Sequence, residues 1–215
     1  KILYFSKLKK MKKNLLLLCL MTALCSCNSQ GKRALIGKTE YQQKLNASYK
    51  DASTSPLKKK DLKGFKGLDF FPIDSTFIVI ATLVKTKNAP TFEMATTTDR
   101  KPLYKEYGTL NFTLKGTACE LTIYRSQDDL RDEKYKDYLF LPFTDATSSN
   151  ESYGGGRYMD VMTTSENTDG TIELNFNNTY NPYCVYNAKY SCPLTPRKNH
   201  LDIEIKAGIM VFEKH

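Results

Sequence analysis

From Phe70 onward the chain alternates apolar and polar residues, and its apolar positions are mainly β-branched or aromatic, which is the period of strands. The runs 76–84, 91–96, 103–107, 109–115, 118–125, 138–143, 157–162, 171–176 and 201–212 are bounded by Gly, Pro, Asn or Asp. No helical period separates them, so βαβ units are excluded and the fold class is mainly β: a single antiparallel β-barrel or sandwich-like domain. Lys115-Gly116, set between two alternating runs, predicts a tight hairpin, and Asp169-Gly170 predicts another or a longer loop. One or two short N-terminal helices precede the strands. Tyr41, Leu45 and Tyr49 recur at four-residue spacing on an otherwise polar segment that ends at Ser53–Pro56, and a second short helix fits after Ser55-Pro56.

The N-terminus has another character. From Met11, read as the start, MKKNLLLLCLMTALCSC is a short cationic stretch, an apolar run and then small residues, the layout of a signal peptide. The apolar run is too short for a permanent membrane span, which needs roughly 20 residues in a helix. Leu24-Cys25-Ser26-Cys27 resembles the lipobox of bacterial lipoproteins, in which the Cys after the cut carries diacylglycerol and a further acyl chain such as palmitate. The expectation is therefore a leader over 1–26, a lipid anchor at Cys27, a tether over 27–39 and a β-rich domain over 40–215. That places the protein in the cell envelope, on the extracytoplasmic side of a membrane.

The leader also explains the charge. The chain carries +9 overall, but residues 1–26 hold six lysines and no acid. The remainder has 26 basic against 23 acidic residues, a surplus of three. A nucleic-acid partner is not expected from so balanced a domain. Three cysteines stay in the folded part: Cys119, Cys184 and Cys192. An extracytoplasmic location permits a bridge between Cys184 and Cys192, whereas their spacing fits no common zinc site, so neither a metal nor another cofactor is expected.

Polar and aromatic residues concentrate in 143–161 and 175–184. Gly154–Gly156 permits either a tight turn or close approach of backbone to a ligand. Arg157 suits a carboxylate or phosphate clamp, or an ion pair with Asp145. Asn177, Tyr180 and Asn181, before Pro182, either close a turn or orient a polar ligand. Cys184 and Asp145 are the residues on which a hydrolase or transferase could rest, with His200 and His215 the only bases for a thiol. No nucleophile elbow or metalloprotease motif is present.

Five strings carry a family resemblance: SPLKKKDLKGFKGLDFFPID, FEMATTTDRKPLYKEYG, YLFLPFTDATSSNESYGGGRYMD, LNFNNTYNPYCVYNAKYSCPL and TPRKNHLDIEIKAG. With them the chain, over about 41–214, resembles bacterial domain-of-unknown-function family 1684 (DUF1684) in a short lipoprotein form. The resemblance implies a polar signature of Asp145, Tyr153, Arg157, Asn177, Tyr180, Asn181, Cys184, Cys192 and Asn199, without roles. His200 departs from the family pattern, which weakens a mechanism built on it. The expected function is a lipid-anchored protein, more a binder than an enzyme. It would hold a small polar or anionic ligand, or an envelope partner, through Asp145, Tyr153, Arg157, Asn177, Tyr180, Asn181 and Asn199. A structural envelope component is the other alternative to an enzyme.

Overall fold

The computed structural model of the chain describes residues 37–212. The expected leader, Cys27, the tether through residue 36 and His215 lie outside the described residues. Helix α1 (Glu40–Lys50) forms on the stripe of Tyr41, Leu45 and Tyr49. At its start Thr39 Oγ1 accepts the Gln42 N–H at 3.2 Å, and Gln42 Oε1 accepts the Lys38 N–H at 2.8 Å. That reciprocal arrangement is close to a capping box. Tyr49 is buried among Leu57, Leu68, Phe70, Tyr186 and Ile209, which fixes the helix to the domain. Helix α2 (Lys59–Leu62) is a single turn.

Eight strands follow: β1 (Ile78–Lys85), β2 (Phe92–Glu93), β3 (Leu103–Leu114), β4 (Thr117–Ser126), β5 (Tyr138–Asp145), β6 (Arg157–Met162), β7 (Thr171–Asn175) and β8 (His200–Leu201). They form one curled sheet in the order β6-β5-β4-β3-β1-β7, a half-barrel, with β2 added to β3. Neighbours along that path are antiparallel, and only β8 runs parallel to its partner, β5. Lys115 and Gly116 form the two-residue turn between β3 and β4 with φ of 48° and 80°. These are the paired positive values that match the strand twist.

Two apolar clusters occupy the two faces. Phe77, Leu110, Leu121, Ile123, Leu141, Phe143, Phe176 and their neighbours fill the main core, while Met94, Tyr104, Tyr124, Phe140 and Tyr158 form an aromatic layer. One residue decides how β3 serves both. The β3–β4 register slips between Glu106 and Gly108, leaving Tyr107 as a bulge. Before the bulge Tyr104 points into the aromatic layer, and after it Leu110, Phe112 and Leu114 point into the main core. An inserted residue exchanges the faces of a strand, which is how two expected strands, 103–107 and 109–115, become one.

The sheet has a seam between β4 and β5, whose ladder is recorded at a single register position, Tyr124 opposite Phe140. Asn199 fills it. Its Oδ1 accepts the Thr122 N–H at 3.0 Å, and its Nδ2 donates to Thr122 O at 2.8 Å and to Pro142 O at 2.6 Å. A side-chain amide thus stands in for the missing ladder.

The expected strand over 201–212 is a correction. Only His200–Leu201 is a strand, and the following residues cross the core as an extended strap without a ladder of their own. Arg157 holds part of it. Its Nη2 donates to Ile205 O at 2.8 Å, and its Nη1 to Ala207 O at 2.5 Å and Ile209 O at 3.3 Å. One guanidinium thus takes three carbonyls of the strap, around a turn at Gly208 with φ of 72°, while backbone hydrogen bonds with Asp69, Phe71, Ala146, Glu151 and Thr179 hold the rest.

Candidate functional site

The structure places most of the polar signature inside the protein. Arg157 is fully buried on the core face of β6, stacked 5.2 Å from the Phe143 ring centre and 5.7 Å from that of Phe71. Its Nη2 donates to Asp145 Oδ1 at 3.0 Å. Asp145 also accepts from Thr147 Oγ1 and from the backbone N–H groups of Thr147 and Ile205. Of the two roles open to Arg157 from sequence, this is the ion pair. Burial pulls the guanidinium pKa down while Asp145 supports the charged form.

The other signature amides also tie segments together. Asn177 joins its turn to Asp74, accepting the Asp74 N–H at 3.2 Å and donating to Asp74 O at 3.0 Å. Asn181 donates to Met210 O at 2.9 Å, and Asn199 closes the seam. Tyr153 is half-buried beside Gly155. The glycine run is a turn: Gly156 has φ of 94°, and a Cβ there would meet Thr195 Oγ1 at 2.5 Å and Phe143 O at 2.6 Å. Asp145, Tyr153, Arg157, Asn177, Asn181 and Asn199 therefore do not line one pocket. The physical reason is strand parity: Arg157 points to the same side of β6 as the core residues Met159 and Val161.

Cys184 and Cys192 do meet, but as free thiols. The expected bridge is not formed, and the Cys184 N–H donates to Cys192 Sγ at 3.2 Å. Burial pushes the Cys192 thiol up to about 12, which leaves it protonated at neutral pH. His200 contacts Thr144 Oγ1 at 2.9 Å and Asp202 Oδ1 at 3.2 Å.

The opposite face holds the main feature, a cavity of about 680 Å³. Eight of the 14 tyrosines of the sequence line it: Tyr41, Tyr104, Tyr135, Tyr138, Tyr158, Tyr180, Tyr183 and Tyr190. Strand alternation supplies part of the wall, since Tyr138 and Phe140 on β5, and Tyr158 and Asp160 on β6, point away from the core. Helix α1 adds Tyr41 and Leu45, the free end of the stripe that Tyr49 anchors. Residues 100–104 and 126–135 add Tyr104, Tyr135 and the rim, and the segment 180–193 adds the remainder, held to β6 by paired backbone hydrogen bonds between Tyr158 and Tyr180 at 2.9 and 3.0 Å. Among the expected binding residues, Tyr180 is in this wall.

Asp160 sits among these rings. Its Oδ1 accepts the Tyr138 hydroxyl at 2.6 Å and also the Tyr180 hydroxyl. Enclosure raises its pKa above the usual carboxylate value, although the two phenols pull the other way. Asp160 is exposed, and its carboxylate opens to the cavity, where it is accessible to a ligand. Burial also lifts the Tyr138 and Tyr180 phenols well above their ordinary pKa, which keeps both as donors. At the mouth Arg100 donates from Nε to Ser191 Oγ at 3.1 Å and from Nη2 to Ser191 O at 2.9 Å. Asp128 and Asp129 lie on the same rim.

Sequence reasoning missed Asp160 and all the cavity tyrosines except Tyr180. A signal was present: on 138–143 and 157–162 both strand faces carry large residues, tyrosines among them, so each strand has two packed sides. Among the described residues no helix is long and apolar enough to cross a membrane, and no cluster of three His, Cys, Asp or Glu could hold a metal ion.

Comparison with known proteins places these features in a family context. A family model described as "Protein of unknown function (DUF1684)" matches residues 63–210. The solution NMR structure of an uncharacterized protein from gene locus rrnAC0354 of Haloarcula marismortui is similar, with 32% identity and a TM-score of 0.63. The match covers 81% of this chain and 92% of that one. No curated protein matches.

Proposed function

In a chain that belongs to the DUF1684 family, we propose that the tyrosine-lined cavity binds a small polar ligand and that the protein does so as a lipid-anchored extracytoplasmic protein. The observation that carries the binding reading is the cavity itself. A concave aromatic wall with a few convergent polar groups is the usual form of a small-molecule site. Packing alone does not call for an ionisable carboxylate open to a space of about 680 Å³. The anchoring reading rests on the order of residues 11–27 in the sequence. Its expected result is a lipid-modified Cys27: the intact protein incorporates labelled palmitate, Cys27→Ser does not, and incorporation by the variant would refute the assignment.

The binding reading is tested by thermal shift on the purified full chain with amines, amino sugars, sugar acids and nucleotides. At least one compound raises the melting temperature of the wild type. Tyr183→Ala, at a wall residue 41% exposed, loses most of that rise, while its unliganded stability falls by about 1–2 kcal/mol, since the ring gives up its edge contacts with Tyr49 and Tyr190, and it remains folded. No shift with any compound, or an equal shift in both proteins, would overturn the reading.

A further inference from the structure

The charges around the cavity are unequal. Its lining carries the carboxylates of Asp128, Asp129 and Asp160 against the guanidinium of Arg100, which Ser191 already holds at the rim. Both hydroxyls that reach Asp160 go to Oδ1, and Oδ2 takes no hydrogen bond from the described residues. No cationic side chain among the described residues pairs with it at salt-bridge distance. A carboxylate without a countercharge attracts a positive group, and tyrosine faces attract cations through their negative π surface. Both features of this site are short of the same thing, a positive charge that the protein does not supply.

We propose that the ligand is an organic cation, an ammonium group carried on a larger polar body, seated against Asp160 between the tyrosine rings. The inference rests on the cavity being a ligand site and adds the chemical class. The ammonium lies next to Asp160, a primary amine donating to Oδ2 and a quaternary one in contact only. The body of the molecule stacks on Tyr180 and Tyr183, with Tyr158 packed behind Tyr180. The wall aromatics contribute π faces, and the rim acids bias entry toward cations.

The test is calorimetric titration of the full chain with two matched sets of probes. Choline is compared with its uncharged isostere 3,3-dimethylbutan-1-ol, and glucosamine with glucuronate. At neutral pH at least one cation binds about tenfold or more tighter than its partner, the scale expected for a desolvated charge contact. Asp160→Asn removes that preference, and the amide oxygen still accepts the Tyr138 and Tyr180 hydroxyls, so the fold is kept. Cation affinity falls as pH drops through the raised pKa of Asp160, because protonation removes the charge. Of the other groups facing it, Tyr41, Tyr138 and Tyr180 have raised pKa values and stay neutral throughout, as does Tyr183. Arg100 also faces the cavity. A pH step arising from Asp128 or Asp129 would persist in Asp160→Asn, whereas the step expected here disappears. If the uncharged or anionic partner binds equally well or better and Tyr183→Ala abolishes it, the cation assignment is overturned and the cavity reading stands. If none of the four probes binds, the assignment is again overturned, and the wider thermal-shift panel decides the cavity reading separately.

Discussion

Replacing Arg157 with Met lowers the unfolding free energy by about 3–5 kcal/mol, the range for breaking a buried ion pair from one side. Whole domains are stable by only about 5–15 kcal/mol, so this variant sits near the edge of folding. The size follows from what is left behind. Asp145 stays buried with the Thr147 hydroxyl and two backbone N–H donors but without a countercharge. The carbonyls of Ile205, Ala207 and Ile209 lose the guanidinium that ties the strap to the half-barrel. Chemical denaturation of the full chain measures the loss. Asp145→Leu/Arg157→Met is less destabilised than the sum of the two single changes, because no lone charge remains. A change below about 1 kcal/mol for Arg157→Met would show that the strap holds without it.

The second large effect belongs to Asn199→Ala, at about 2–4 kcal/mol. The substitution strips Thr122 N–H, Thr122 O and Pro142 O of their shared partner inside the seam, and each unsatisfied buried group costs about 1–3 kcal/mol, discounted for relaxation of the gap. A local readout distinguishes this from general loosening. Amide exchange at Thr122 accelerates more than at Leu110 or Leu121, whose amides lie in the regular part of the sheet. Uniform acceleration across the sheet would contradict the account.

Both residues belong to the polar signature that the family resemblance implies, and both serve the fold. Strand parity made part of this legible, because Arg157, Met159 and Val161 alternate with Tyr158 and Asp160, so Arg157 is assigned to one face once the core face is known. Which face was core could not be read locally, since both sides of β6 carry large residues. Asn199 gave no local sign at all, because the gap it fills lies 77 residues earlier, at Thr122. The strap looked like a strand for a related reason: alternation reports an extended chain with one buried side, not whether its backbone bonds to a strand or to an arginine. The helix stripe, the Lys115-Gly116 hairpin and the span of β6 were readable because each depends on neighbours in sequence. The cavity depends on segments far apart in sequence, α1, residues 100–104 and 126–135, the β5–β6 pair and 180–193, and only their assembly brings the tyrosines together.

The measurement that bears most directly on this division between scaffold and site is the aromatic NMR spectrum of the full chain, labelled at its tyrosine rings and titrated separately with choline and with glucosamine. Saturable shifts at Tyr158, Tyr180 and Tyr183, with Tyr107 and Tyr153 unmoved, are the predicted result. A spectrum that does not change, or shifts confined to Tyr153 beside the Gly154–Gly156 turn, would contradict it.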